Sequence, residues 1–269
     1  MEKLGFNTPT IINAYNPFYG LYSRNIFQNE KIIYYCYDEI SGSPWAKKHG
    51  AKIEKEFLKI ADLVITSSSS LQKEKAKHHN RVEIIENGVD FELFNSQMDK
   101  TKKNSKPIVG YIGSLDERID YELIAFLASK RPNFIFRLIG RVVYPELLDL
   151  IRNLPNIELI GPVQYRQLPK ELLNFDLCLI PFLKTEFTKN IYPLKINEYL
   201  SMGKPVVKTD FASLPEFNEV VWTGSDYNDF LNKMEEALTY QDDGIIKKRI
   251  QIASDNSWAN RIQKFLHLI

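Results

Sequence analysis

Lys195 and Glu198 are the two residues whose types and spacing speak most directly of chemistry. They stand three apart in Pro193-Leu194-Lys195-Ile-Asn-Glu198-Tyr-Leu-Ser-Met-Gly203-Lys-Pro205-Val-Val207. Pro193 suits a first helical turn and Gly203 a left-handed stop, so both side chains fall on one face of a short helix. An ammonium beside the open amides of a helix N-terminus holds a diphosphate, and a carboxylate one turn deeper accepts ribose hydroxyls. The same residues also read as a surface ion pair worth only about 0.3–0.5 kcal/mol. Spacing alone leaves both readings open.

Three further glycine-bearing loops follow candidate strands. Gly113-Ser114-Leu-Asp116-Glu117-Arg118 allows close approach to the backbone and offers a guanidinium with the fork geometry of a phosphate ligand. Its plain alternative is a turn in which Arg118 pairs with Asp116, Glu117 or solvent. Gly140-Arg141 and Gly161-Pro162-Val163 end the next two strands, where a base or sugar fits, although Gly-Pro is also ordinary turn punctuation. Asp38 follows a buried strand and is the first-half residue placed to contact acceptor or donor sugar; its alternative role is a helix cap. His49, near Asp38 and Glu39, is a weaker candidate base, and His78-His79 reads as a solvated helix end, since neighbours in a helix do not face one site.

These residues need elements to position them. Buried strands are expected at Thr10–Ala14, Lys31–Tyr37, Leu63–Ser67 and Val82–Ile85, then at Ile108–Ile112, Phe134–Ile139, Ile157–Ile160, Asp176–Ile180, Pro205–Val207 and Val220–Trp222. Helical patterns lie between them at Pro44–Ile60, Ser70–Lys77, Tyr121–Ala128, Pro145–Asn153, Leu168–Leu173, Pro193–Met202 and Asp226–Leu238, and end with Trp258–Leu268. Such alternation implies parallel sheets covered on both faces, with ligand loops at the strands' carboxyl ends. The polar, lysine-rich stretch 95–107 reads as a linker between a lobe at 1–94 and a lobe at 108–269, with the last helix packing back toward the first lobe.

Composition bounds the functions. At 269 residues with 44% hydrophobic content, the chain has material for packed cores, and 35 basic against 34 acidic residues give no field that selects nucleic acid. Cys36 and Cys178 are the only cysteines, too few for a disulfide framework or a thiolate zinc site. Charges break every apolar run before the ~18 residues of a membrane span. There is no glycine–lysine phosphate loop, no Gly-x-Gly-x-x-Gly and no Asp-x-Asp pair, so neither a cofactor nor a metal is called for.

The ordered motifs resemble a known family. Gly113-Ser-Leu, Asp120, Phe136-Arg-Leu-Ile-Gly140, Pro155-Asn-Ile-Glu-Leu-Ile-Gly161-Pro, Phe175-Asp-Leu-Cys-Leu-Ile-Pro181-Phe and the Pro193–Val207 run are similar to bacterial GT-B-fold glycosyltransferases of the family 1/family 4 type, which build exopolysaccharide and teichuronic acid. Ala61-Asp-Leu-Val-Ile-Thr-Ser67-Ser and Ile85-Glu-Asn87-Gly-Val-Asp90 look like that family's approach to the interdomain hinge. The resemblance implies an α/β chain of two Rossmann-like lobes with parallel sheets, transferring sugar from a nucleotide-diphosphate donor to a glycan or lipid-linked acceptor without a metal. It implies donor contacts at Gly113, Ser114, Arg118, Arg141, Val163, Asn190, Pro193, Leu194, Lys195 and Glu198, with cations and helix amides stabilising the leaving diphosphate. Relatives often carry a glutamate eight before Glu198 and an arginine after the first glycine; here Asn190 and Ser114 stand there, which puts the sugar and phosphate contacts in question.

The first lobe is expected to be shortened, with about four strands against the six of a full doubly wound sheet. That keeps a second expectation alive, a truncated non-catalytic relative that binds a nucleotide sugar or serves as a partner subunit; a sugar-nucleotide epimerase on a related two-lobe fold is the third. A cytoplasmic chain is expected, with peripheral contact to an anionic membrane through basic Ser70–Lys77 and the C-terminal helix.

Overall fold

Short runs rich in Ile, Val and Tyr become parallel strands, and the helices between them return the chain to the same sheet edge. The computed structural model describes residues 9–14, 16–26, 30–42, 46, 48–99 and 104–269. Lys100, Lys102 and Lys103 of the expected linker lie outside those residues, as does the start of the helix expected from Pro44. The chain divides into two compact units. Unit 1 comprises Met1–Asn87, Lys189–Tyr192 and Lys264–Ile269; unit 2 comprises Gly88–Thr188 and Pro193–Gln263.

Unit 1 is built on β1 (Thr10–Ala14), β2 (Lys31–Cys36), β3 (Leu63–Thr66) and β4 (Val82–Ile84), paired in parallel in that order. Alternation of side chains gives the sheet two apolar faces. On one, Ile32, Tyr34, Cys36 and Val64 pack with Phe57, Leu58 and Ala61 at the end of helix α2 (Gly50–Ile60), which follows α1 (Pro17–Gly20). On the other, Ile33, Leu63, Ile65 and Ile85 pack with Phe265 and Leu268. Those two residues come from the last helix of the chain, and its end is tied down further: Lys31 Nζ donates to the Ile269 carbonyl at 2.9 Å and Arg81 Nη2 to that of Leu268 at 3.0 Å. Helix α3 (Ser69–Lys75) starts on Ser68, whose Oγ accepts from the Leu71 N–H at 3.2 Å.

Unit 2 opens with α4 (Phe91–Asn95) and then forms β5 (Ile108–Ile112), α5 (Tyr121–Lys130), β6 (Ile135–Ile139), β7 (Ile157–Ile160), α6 (Leu168–Leu173), β8 (Leu177–Ile180), α7 (Leu194–Ser201), β9 (Val206–Thr209), β10 (Val221–Gly224), α8 (Tyr227–Thr239), α9 (Asp243–Asp255) and α10 (Trp258–Leu268), whose last turn belongs to unit 1. All six strands are parallel, in the order β10-β9-β8-β5-β6-β7. Numbered from β5, this is the doubly wound 3-2-1-4-5-6 order. Its direction reverses between β5 and β8, which meet at Val109–Leu177 and Gly110–Cys178. The loops after these two strands therefore diverge and leave a crevice, the usual ligand position of such sheets. Val109, Phe136, Leu177, Leu179 and Val207 from the strands pack with Leu123 and Leu127 of α5 and Phe230 and Met234 of α8, each contributing about 1.5–3 kcal/mol by burial.

Two differences from the expected elements have physical reasons. Pro145–Leu148 makes only a tight 3-10 turn, which buries Leu148 and Ile151 but leaves Leu150 exposed. Helix α9 has no clean apolar stripe in sequence because a charge points inward: Arg249 is fully buried, donates to the Gly203 carbonyl at 3.0 Å and Gln241 Oε1 at 2.8 Å, and lies 5.3 Å from the Trp222 ring. Its start was legible at Asp242, whose Oδ1 accepts from the Gly244 and Ile245 amides.

Candidate functional site

The site lies in unit 2, at the carboxyl ends of β5, β6 and β8 and the start of α7. Helix α7 is fixed there by its own buried side. Tyr199, fully buried, accepts the Ile112 N–H at 2.8 Å and so joins the helix to the last residue of β5. Asn197 and Ser201, also fully buried, are bonded to Asn256 and Asn95. With the back of α7 held, Lys195 faces the loop after β5, and Glu198 follows three residues on along the same helix. No side chain caps the first turn of α7, whose N-cap is Pro193, with Leu194 exposed beside it.

Lys195 sits over two aromatic rings, 5.1 Å from Tyr111 and 4.9 Å from Phe182. Neither the Lys195 nor the Glu198 side chain makes a hydrogen bond or ion pair with any described residue. The surface ion pair is thus not what forms. Both side chains keep some accessible surface yet are ringed by protein, and each is pushed toward neutrality. Burial, then the neighbouring Arg118 charge, holds the Lys195 ammonium below the ordinary lysine range. Burial lifts the Glu198 carboxyl above its ordinary range, with Lys195 opposing. Two recessed charges of opposite sign, with no hydrogen-bond or ion-pair partner among the described residues, make a polar site.

The loop of Gly113 and Ser114 forms the facing wall. Gly113 has φ +149° and Gly140 φ +153°, values disfavoured for residues with a side chain. A Cβ on Gly113 would lie 3.0 Å from Lys195 Cε, and one on Gly140 would run into the Gly113 carbonyl oxygen. The two glycines therefore let the loops after β5 and β6 close on each other beside Lys195. Tyr111 donates its hydroxyl to the Ser114 carbonyl at 3.1 Å, keeping its ring under Lys195.

Arg118 takes the alternative open to it in sequence. It binds Asp116 in bidentate fashion, Nε to Oδ1 at 2.9 Å and Nη2 to Oδ2 at 2.5 Å, while standing 5.6 Å from the Phe182 centroid. It is near enough to depress Lys195, but its charge is shared with Asp116. Arg141 is exposed, and Val163 half-buried.

Asn190 and Asp38 both belong to unit 1. Asn190 is buried; its carbonyl accepts Ser68 Oγ at 2.8 Å and its Oδ1 accepts Ser70 Oγ at 2.5 Å. Asp38 lies half-buried just past the carboxyl end of β2. His49 is exposed, and His79 bonds main-chain groups of Arg81 and Ala61.

Sequence reasoning missed the aromatic lining. Besides Tyr111 and Phe182, Tyr165 stands two residues beyond Val163, with its ring 5.7 Å from that of Phe94 and a backbone hydrogen bond from Asp90. Its hydroxyl is pushed up to about 12 by burial and then by the Glu198 and Asp90 charges, which places it in electrostatic reach of Glu198. The available signal was an aromatic three residues after a Gly-Pro turn.

Two parallel Rossmann-like sheets of four and six strands define the GT-B class of α/β protein. Within it, the chain belongs to the family described as glycosyl transferases group 1, whose model matches residues 106–240. TuaH of Bacillus subtilis (strain 168), assigned as a teichuronic acid biosynthesis glycosyltransferase, is 28% identical over 87% of this chain, which spans 65% of that curated relative's length. Among solved structures, sucrose-phosphate synthase from Thermosynechococcus elongatus matches with a TM-score of 0.78 at 19% identity, over 97% of this chain and 72% of that one. Anabaena Alr3699/HepE in complex with UDP and glucose matches with a TM-score of 0.73 at 18% identity, over 89% and 71%. No helix among the described residues is long and apolar enough to cross a membrane.

Proposed function

We propose that unit 2 binds a nucleotide-diphosphate sugar and that the chain transfers its sugar to a glycan or lipid-linked acceptor in cell-surface glycan synthesis. The observation that carries this reading is the recessed Lys195–Glu198 pair, without a hydrogen-bond or ion-pair partner among the described residues, with Lys195 beside Gly113 at the switch point of a doubly wound sheet. Lys195 and the open amides of α7 take the diphosphate; Glu198 accepts the ribose hydroxyls; the turn at Val163 and Tyr165 lies on the base side. Gly113 and Ser114 present backbone to the phosphates, with Arg118 held by Asp116 behind them and Arg141 at the rim. In transfer, the bond from the anomeric carbon to the diphosphate oxygen breaks, one to an acceptor oxygen forms, and the acceptor hydroxyl's proton passes to the departing diphosphate or to water. The growing charge on the diphosphate is met by cations already in place, without a metal. Unit 1 supplies the acceptor side, with Asp38 as its contact. The name of TuaH and the UDP complex of HepE support this assignment.

Glu198→Ala and pyrophosphate together test the division of the site. A carboxylate accepting hydroxyls in a recessed site contributes about 1.5–3 kcal/mol, so the variant is expected to weaken UDP at least about tenfold while changing pyrophosphate less than about threefold. Equal affinity of wild type and variant for UDP in a calorimetric titration would remove Glu198 from the site.

Peripheral membrane contact belongs to the same reading. Helix α10 carries no acid and exposes Trp258, Ile262 and Leu266, with Arg261 and Lys264 along its length. The chain is expected to pellet with vesicles containing phosphatidylglycerol and to stay in solution with pure phosphatidylcholine; no difference between the two contradicts it.

A further inference from the structure

Unit 1 contains a buried charge network that donor binding does not use. Lys75 of α3, 4% exposed, lies 2.8 Å from Glu54 Oε2 and 3.1 Å from Glu39 Oε2. Glu54, equally buried in α2, also accepts the Tyr34 hydroxyl at 2.7 Å, and Glu39 accepts Ser41 Oγ at 2.8 Å. Taking such charges out of water costs several kcal/mol, and apolar side chains of the same volume often serve stability as well or better. What the network does supply is geometry, because Glu39 sits in the segment that leaves the carboxyl end of β2, where sheets of this kind contact ligands.

Asp38 is the residue between the two anchors of that segment. On one side, Ser67 Oγ donates to the Tyr37 carbonyl at 2.7 Å, and the Ser67 N–H donates to the Cys36 carbonyl at 3.3 Å. On the other, Lys75 grips Glu39. The Asp38 carbonyl itself faces the Cys36 thiol at 3.4 Å. The main chain is thus held before, at and after Asp38, by Ser67 in the turn ahead of α3, by Cys36 of β2, and by Lys75, the last residue of α3.

We propose that Ser67 and Lys75 are positioning residues for Asp38, and that the buried Lys75–Glu54–Glu39 network exists to fix the acceptor-side segment Tyr37–Ser41. This rests on the sugar-transfer reading for what Asp38 contacts, but not for the positioning itself.

The test compares wild type, Asp38→Asn, Ser67→Ala and the double variant Lys75→Met/Glu54→Gln, which leaves no unpaired charge behind at Glu54. Amide exchange at residues 37–41 is expected to quicken at least tenfold in the double variant, with α2 and β3 keeping wild-type protection. UDP affinity is expected to stay within twofold, because that site lies in unit 2. Release of glucose and UDP from UDP-glucose and water is expected to fall at least tenfold in kcat, and the double variant is expected to add less than threefold to Asp38→Asn, since both act through one residue. A network serving stability alone would instead multiply its effect onto Asp38→Asn. Wild-type exchange at 37–41 overturns the proposal, and so does full additivity. If wild type binds none of UDP, GDP and ADP and releases no sugar from their diphosphate sugars, the transfer reading fails while the exchange measurement still decides the positioning.

Discussion

Lys195→Met is expected to weaken UDP and pyrophosphate alike by about 100-fold and to leave the unfolding midpoint unchanged or raised. A charge-assisted contact to phosphate in a recessed site contributes about 1.5–3 kcal/mol, and open helix amides cannot replace it; 100-fold corresponds to about 2.7 kcal/mol. Stability is expected to move the other way because the ammonium has no ion-pair partner among the described residues and is depressed by burial. With its folded pKa below the unfolded value, the unfolded chain binds this proton more tightly. This group alone therefore makes stability rise with pH between the two pKa values. Methionine keeps the stem over Tyr111 and Phe182 and removes the desolvated charge. A lysine of purely structural use would give the opposite pattern, lost stability and no selective loss of anions.

The same group gives binding a pH dependence of definite sign. A diphosphate binds the protonated amine and draws its pKa back up. Affinity is then full below the depressed pKa of the free protein and falls, by at most tenfold per pH unit, as pH rises through it. Near that pKa, binding takes up protons, so the measured heat changes with the ionisation enthalpy of the buffer. In Lys195→Met this buffer dependence is expected to vanish.

Gly140→Ala is the second large effect. At φ +153° an alanine is strained by about 1–2 kcal/mol, and its Cβ meets the Gly113 carbonyl, backbone that cannot swing aside. A loss of about 3 kcal/mol is expected, near 6–12 °C in the midpoint for a unit of this size. The displaced atoms belong to the loop beside Lys195, so UDP binding is expected to fail even at temperatures where the variant is folded. Gly161, where an added Cβ meets nothing within 4 Å, is the control: Gly161→Ala is expected to fold and bind as wild type does. Equal midpoints for Gly140→Ala and Gly161→Ala would contradict this account of the loop.

The parallel sheets were legible because each strand is a run of β-branched and aromatic residues buried on both faces. Runs such as Ile108–Ile112 and Leu177–Ile180 admit no other use in a chain that alternates with helices. Helix α9 was hidden for the opposite reason: Arg249 breaks its apolar period from inside. At the site, local spacing placed Lys195 and Glu198 on one face, since that follows from helical geometry. It could not tell an ion pair from two separate charges, because the outcome depends on Tyr111 and Phe182, which come from β5 and the end of β8. Arg118 shows the same limit. Whether it faces a ligand or Asp116 is decided by a two-residue turn whose dihedrals no pattern specifies. Asn190 and Glu198, eight apart in sequence, fall in different units, which periodicity along one chain does not register.

The most direct measurement is a calorimetric titration of wild type and Lys195→Met with UDP, GDP and ADP at pH 7 in low salt. Wild type is expected to bind at least one of the three, with that affinity reduced about 100-fold in the variant. No binding of any nucleotide to wild type, or equal binding to both proteins, would contradict a nucleotide-diphosphate site at Lys195.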